Sequence, residues 1–410
     1  MAGATIDHII SVTILIAALL VAMTTYNHMF ATAVDYDRNR QVATKAADLM
    51  NTICLSPGNP TDWGETDTSL LGFGLQDPEA GGYALSPYSI MRLRASNSSG
   101  DSQLVYYSKT GLYYNNISAN YGNSILIPIG DCVNYTTATE LLGINKTYGF
   151  RVDITPTLDI SISQVAVSPP HNHLILKVEV RGSGLPLSDA TLNYYLFQVE
   201  SGGGGSYPSI KAYSGVEQTD SSGSVLIEFD EVHESNDPYS FTVYASLSGV
   251  NGVGHYSYDT VDGLELVVPF IQDFDQGTVI IAHSFDVHNY TETPVPEVKY
   301  NATFFVLNQN FQLQEVQIEN STGHLVYGEG WPYFTTQLPA SEVGLLFVSY
   351  RRDANRMGSV ILPWGIGTLG VSVSFGGDPT GYDFVATELR QVIINGISYQ
   401  VKVSAWKLGS

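Results

Sequence analysis

The hydrophobic pattern opens on the run IISVTILIAALLVAM from Ile9 to Met23, which carries no charge and continues uncharged through TTYNHMFATAV to Val34. Asp7 and His8 precede it and Asp35 follows, leaving 26 uncharged residues. A helix of that length crosses a bilayer core of roughly 30 Å. Beyond it Val42, Ala46, Leu49, Met50 and Ile53 recur at three- and four-residue intervals, with Arg38, Arg40, Lys45 and Asp48 off the stripe. That spacing predicts that the helix continues with one apolar face. It should stop at Ser56-Pro57-Gly58-Asn59-Pro60, where two prolines and a glycine break the repeat. From Thr5 to Leu55 such a helix is roughly 75 Å long. No basic region stands in front of the run and no cleavage site behind it, so it reads as retained rather than as a secretory signal.

The rest of the chain alternates with a strand period. Leu104 to Tyr107 and Leu112 to Tyr114 flank Ser108-Lys109-Thr110-Gly111, a hairpin signal, and Ile125 to Ile129 is a further short strand. Thr136 to Ile144 reads as a helix, and Gly149 to Ile154 and Leu158 to Val167 as strands. Ser168-Pro169-Pro170 reads as a boundary. From Leu174, LILKVEVRGSGLPLSDATLNYYLF, GVEQTDSSGSVLIEF and YSFTVYASLSGVNGVG resemble an immunoglobulin-like surface domain, with strand and turn signals at regular spacing. The glycines between Ser201 and Ser206 read as a hairpin tip. Further strands are expected at Leu264 to Phe270, Gly277 to His283, Glu297 to Leu307, Leu345 to Tyr350, Gly370 to Phe375 and Ile397 to Trp406. VILPWGIGTLGVSVSF, from Val360 to Phe375, is apolar enough for a second span, but Pro363 and its glycines argue for buried strands and turns. The expected fold class is therefore mainly β, a long amino-terminal helix followed by immunoglobulin-like sandwiches. The expected divisions are the helix at 1–56, a β-rich domain with a short helix at 57–167, one sandwich at 168–260 and a second at 261–410.

Composition narrows the class. At 410 residues the chain has room for several cores. Charged residues are only 14%, against roughly 25% in typical soluble proteins, which is the texture of an extracellular β-protein. Forty acidic against 18 basic residues give a net charge of −22, which disfavours nucleic acid as a partner. The two cysteines, Cys54 and Cys132, lack the spacing of a metal site. Outside the cell they could form one disulfide between the helix end and the following domain; the alternative is two buried free thiols. Seven N-x-S/T sequons, at Asn97, Asn116, Asn134, Asn145, Asn289, Asn301 and Asn320, exceed the roughly four expected by chance. Arg38, Arg40 and Lys45 lie on the carboxyl side of the span, which by the positive-inside rule alone would put the large part in the cytoplasm. The sequons, the low charge and the cysteine pair point outward, and outward is the expected placement.

Chemistry is thinly signalled. There is no G-x-S-x-G elbow, H-E-x-x-H motif or P-loop, and the enzymatic class has no supporting residue. Gly365, Gly367 and Gly370 spell a G-x-G-x-x-G, but a strand pattern follows it where a dinucleotide site needs a helix. His171 and His173 could share a strand face as metal ligands, although no carboxylate partner is assigned. The acidic turns at Asp273-Phe274-Asp275 and Gly376 to Asp383 could bind calcium, but Asx-turns explain the same residues. No metal or cofactor is expected. The 26 tyrosines and four tryptophans would serve a sugar-stacking platform, a sandwich core or subunit contacts alike.

The plan of an acidic residue before an apolar helix that runs into an amphipathic half resembles type IV pilins and archaellins. LSPGNPTDWG from Leu55, GFGLQD from Gly72, YALSPYSIMRL from Tyr83 and ELLGINKTYGFRVDI from Glu140 are similar to archaeal membrane-anchored pilin-like proteins, over about the first 165 residues. The resemblance implies a basic leader ahead of the helix; the residues before Ile9 hold no Lys or Arg, which leaves processing open. It also implies a self-assembling filament subunit, with Asp7, Ile9, Ile10, Val12, Ile14, Leu15, Leu19, Leu20 and Met23 as the assembly residues. Asp7 would neutralise a neighbour's amino terminus, although an acid at a helix start is also favoured by the dipole. The expected partners are copies of the chain, the membrane before or instead of assembly, and surface glycans. The alternative is a single-pass surface adhesin that does not polymerise. Either way apolar helix length must be covered, by lipid or by copies of itself.

Overall fold

A computed structural model describes residues 2–66, 68–95, 104–107, 112–118, 124–128, 133–165, 173–201, 206–233, 237–259, 267–273, 276–283, 297–326, 333–353, 356–364 and 372–409. Among these residues the architecture is mainly β with one long helix, α1 (Ala2–Leu55), and two short ones, α2 (Pro87–Ala95) and α3 (Tyr135–Leu141). α1 has 54 residues, about 80 Å of continuous helix, with no proline inside it. It ends at Leu55, where Ser56-Pro57 begins. The chain that returns past it takes up carbonyls at and just beyond its end: Leu75 N donates to Ile53 O (2.8 Å) and Gln76 N to Ser56 O (3.0 Å).

The carboxyl-terminal half of α1 buries the stripe read from sequence. Val42, Ala46, Leu49, Met50 and Ile53 are all buried, and Cys54 joins them. They pack on an antiparallel sheet ordered Val373–Gly376, Tyr148–Pro156, Ile397–Lys407 and Val385–Ile394. Strand alternation turns Phe150, Val152, Ile154, Tyr399, Val401 and Val403 to one face, where they form a single core with the helix stripe. Trp63 closes this core below the helix end, its Nε1 donating to Pro57 O (2.9 Å) and Gly74 O (3.1 Å).

Strand pairing redraws the boundaries expected from sequence. Three of the four strands on which α1 packs lie beyond residue 370, so the 57–167 region is completed by the end of the chain. Leu158–Gln164 pairs with Leu174–Gly182 across the Pro169-Pro170 segment, so the sandwich begins near 158 and not at 168. Leu104–Tyr107, Leu112–Ser118 and Ser124–Pro128 leave the 57–167 region altogether and extend a sheet of the second sandwich through a parallel pairing of Leu126 with Phe270.

The first sandwich has one sheet ordered Ser224–Phe229, Leu174–Gly182, Leu158–Gln164 and a second ordered Val250–Tyr258, Tyr239–Leu247, Thr191–Glu200, Ser209–Gln218. Its chain crosses between the sheets three times, as an immunoglobulin-like sandwich requires. Leu174, Leu176, Val178 and Val180 face Leu192, Leu196, Phe241 and Val243 in its core. Glu200 pairs with Ser209, so the flanks of the glycine tract form the expected hairpin; the glycines at 202–205 lie outside the described residues. In the second sandwich Val267, Ile271, Val279 and Ile281 face Tyr300, Phe304, Leu346, Val348 and Trp364. The 360–375 stretch divides between Arg356–Trp364 and Val373–Gly376, strands of two different sheets, and Pro363 sits on an edge strand, which tolerates a missing donor.

His255, on Val250–Tyr258, is a titratable group strongly perturbed by burial in the first sandwich. Its Nδ1 lies 3.1 Å from Thr242 Oγ1; the residue is only partly covered, but Nε2 is shut off from solvent. Burial pushes the imidazole down to about 3 from an ordinary 6.5. The folded state therefore favours the neutral ring, and stability present above pH 6.5 is lost as pH falls toward 3. Between pH 6.5 and 5 we expect a loss of about 1–2 kcal/mol. His255→Gln should flatten that dependence in urea unfolding; equal slopes for both proteins would contradict the assignment.

Candidate functional site

The amino-terminal half of α1 projects from the rest of the molecule. Every described side chain from His8 to Arg38 is exposed, and the most apolar 18-residue window has a mean hydropathy of 2.3 with none of it buried. The candidate assembly residues are all there: Ile9, Ile10, Val12, Ile14, Leu15, Leu19, Leu20 and Met23 are 42–63% exposed. Asp7 belongs to the α1 backbone, and its side chain lies outside the described residues.

The threonines of this segment suit an apolar environment. Thr13, Thr24, Thr25 and Thr32 donate to the carbonyls of Ile9, Leu20, Val21 and His28, four residues back, at 2.8–2.9 Å. Each hydroxyl is thereby satisfied within the helix, which removes most of the cost of placing it in hydrocarbon or in a helix bundle.

Where the helix enters the head, charge replaces apolar surface. Asp37, Arg40, Gln41, Thr44, Lys45 and Asp48 from α1, with Tyr148, line an open polar groove of about 550 Å³. Gln41 Nε2 donates to Asp37 Oδ2 at 2.9 Å. Further along, Arg390 clamps the helix to the head. Its Nη1 donates to Asn51 Oδ1 (2.9 Å) and Tyr83 Oη (3.0 Å), and its guanidinium stands 4.9 Å from the Tyr83 ring. Sequence reading did not find this clamp, because its members are more than 300 residues apart and no local pattern joins them.

The remaining candidates fall into place around this frame. Cys54 is a free buried thiol, its Sγ 3.5 Å from Met50 Sδ, and burial pushes it up to about 11, which makes it a poor nucleophile. Cys132 lies outside the described residues, although Val133 beside it is buried in the same core as Cys54. Among the sequons, Asn134 and Asn145 are exposed near α3, Asn301 is half-buried in a strand and Asn320 lies in an exposed turn. Asn116 lies in a strand whose side chains are not described, and Asn97 and Asn289 lie outside the described residues. Asp273 and Asp378 make Asx-turns: Asp273 Oδ1 accepts from Gln276 N (3.0 Å), and Asp378 Oδ1 from Thr380 N (2.9 Å) and Oγ1 (2.6 Å). His171 and the Gly365, Gly367 and Gly370 motif lie outside the described residues. Among the described residues no three His, Cys, Asp or Glu side chains gather as metal ligands would. No protein-family model matches the chain, and no curated protein matches it.

Proposed function

We propose that the chain is a structural subunit of an archaeal extracellular type IV pilus-like filament, assembled through α1, with its β-domains turned outward for adhesion or surface contact. The observation that carries this reading is the division of one unbroken helix into two halves. The half from Val42 is fixed in the head by its stripe and the Arg390 clamp, while the half before it exposes apolar side chains on all sides. A rigid rod bearing uncovered apolar length transmits its position to the head, which is what a helical assembly needs and a simple tether does not. Electron microscopy of material sheared from the producing cell tests the proposal. Helical filaments containing this chain are expected; recovery only in the detergent-soluble membrane fraction would favour the non-polymerising anchored adhesin.

The helix also supplies a protease test that separates the two. If the hydrocarbon layer begins at Ile9, about 20 residues cross it, and Met29 to Gln41 form a stalk of roughly 20 Å below the head. Arg38 and Arg40 lie on that stalk, Arg38 exposed like the residues before it. We expect trypsin to cut there in isolated membranes and release a soluble head, and to leave the same bonds intact in a filament, where neighbouring helices cover them. Equal cutting in both fractions would count against helix bundling.

A further inference from the structure

The sequons among the described residues are not equivalent as acceptors, and their surroundings single one out. Asn301 lies in Val298–Leu307 with strands on both sides, half-buried, and its Nδ2 donates to Pro208 O at 3.1 Å. Asn320 is exposed at a positive φ of 51°, but its Nδ2 donates to Thr335 O at 2.9 Å. Asn134 is the N-cap of α3, its Oδ1 accepting from Thr137 N at 2.8 Å, so capping fixes its amide. Asn116 is paired with Leu126 in a strand ladder.

Asn145 differs on each count. Asn145, Lys146 and Thr147 are all exposed. They form the turn between α3 and Tyr148–Pro156, held by Ile144 N to Thr139 O (2.9 Å), Thr147 N to Ile144 O (3.1 Å) and Tyr148 N to Ile144 O (3.0 Å), with Lys146 at φ 65°. Among the described residues the Asn145 side-chain amide has no hydrogen-bond partner, so it can be taken up by a transferase without breaking a contact of the fold. A glycan acceptor belongs on such a surface turn.

We propose that Asn145 carries an N-linked saccharide. The co-reactant is a saccharide linked through its anomeric carbon to a lipid phosphate. The Asn145 Nδ2 forms a bond to that carbon, the carbon–oxygen bond to phosphate breaks with its electron pair left on the phosphate oxygen, and one amide proton passes to a base of the transferase. Tyr148, three residues on, lines the polar groove with Asp37 and Arg40. The saccharide therefore stands where α1 leaves the head, a hydrated spacer between the head's underside and the surface the helix enters. This inference rests on the outward placement of the head.

The test has two arms on the full-length protein from its producing cell. Protease treatment of intact cells reports whether the head is outside. Cleavage after glutamate then yields the peptide Leu141 to Glu179, which contains Asn145 as its sole sequon, and its mass is read. We expect additions in whole sugar residues, lost in Asn145→Gln and Thr147→Ala and retained in Thr147→Ser, with the variant heads still folded. A bare peptide overturns the proposal. If the head is digested from outside, only the glycan assignment falls; if it is protected, the outward placement falls with it.

Discussion

Met50→Lys should separate the head from its helix. Met50 is fully buried, at the centre of the stripe that packs on the carboxyl-terminal sheet, with its Sδ against Cys54 Sγ. A lysine there buries an ammonium with no acid among the apolar side chains of that core, and breaking or omitting the partner of a buried charge costs on the order of 3–5 kcal/mol. That is a large fraction of the roughly 5–15 kcal/mol by which domains are stable. Trp63 and Trp406 are buried in and beside this core, so tryptophan fluorescence during urea unfolding of the detergent-solubilised chain reads the loss. Met50→Ala should cost about 2–5 kcal/mol by the cavity alone. Ala43→Lys, at an exposed position about two turns earlier in the same helix, is the control and should be near neutral. Matching midpoints for Met50→Lys and Ala43→Lys would show that the seam does not hold the head.

That seam was the most legible part of the fold. The stripe from Val42 to Ile53 and the stop before Pro57 are local signals, a 3.6-residue repeat and a proline, and the structure reproduces both. Strands with clean alternation, such as Leu174–Gly182 and Ile397–Lys407, were likewise readable from their own residues. Their partners were not. Ile397–Lys407 pairs with Tyr148–Pro156 across some 250 residues, and nothing in either segment encodes the other, because an apolar face fits any complementary face and register is settled by the assembled core. Pro169-Pro170 was read as a domain boundary for a related reason: a proline pair interrupts a strand in the same way whether the chain then changes domain or turns back in a hairpin. The candidate site divides similarly. Its apolar helix was plain in composition, whereas the Arg390 clamp with Asn51 and Tyr83 exists only once distant segments meet.

Leu15→Arg tests the other half of the helix and should leave the head untouched. Leu15 is 60% exposed and lies within the projecting half, far along the helix from the seam. The urea midpoint of the solubilised variant should therefore match that of the native protein. Its partition should not. An arginine at the centre of a membrane-spanning helix costs about 2.5–3.5 kcal/mol and the lost leucine adds a few tenths, roughly a 100- to 1000-fold bias against the inserted state. A helix bundle offers the guanidinium no better environment unless an acid lies opposite, and the apolar run from Ile9 to Val34 holds none. We expect the variant to be absent from sheared surface filaments and depleted from sedimented membranes, with Leu15→Phe present in both at native levels. A variant that folds and still reaches the filament or membrane fraction in native amounts would show that this helix is not what carries the protein there. One that fails to fold would place Leu15 in the head's own stability, against the exposure that defines it here.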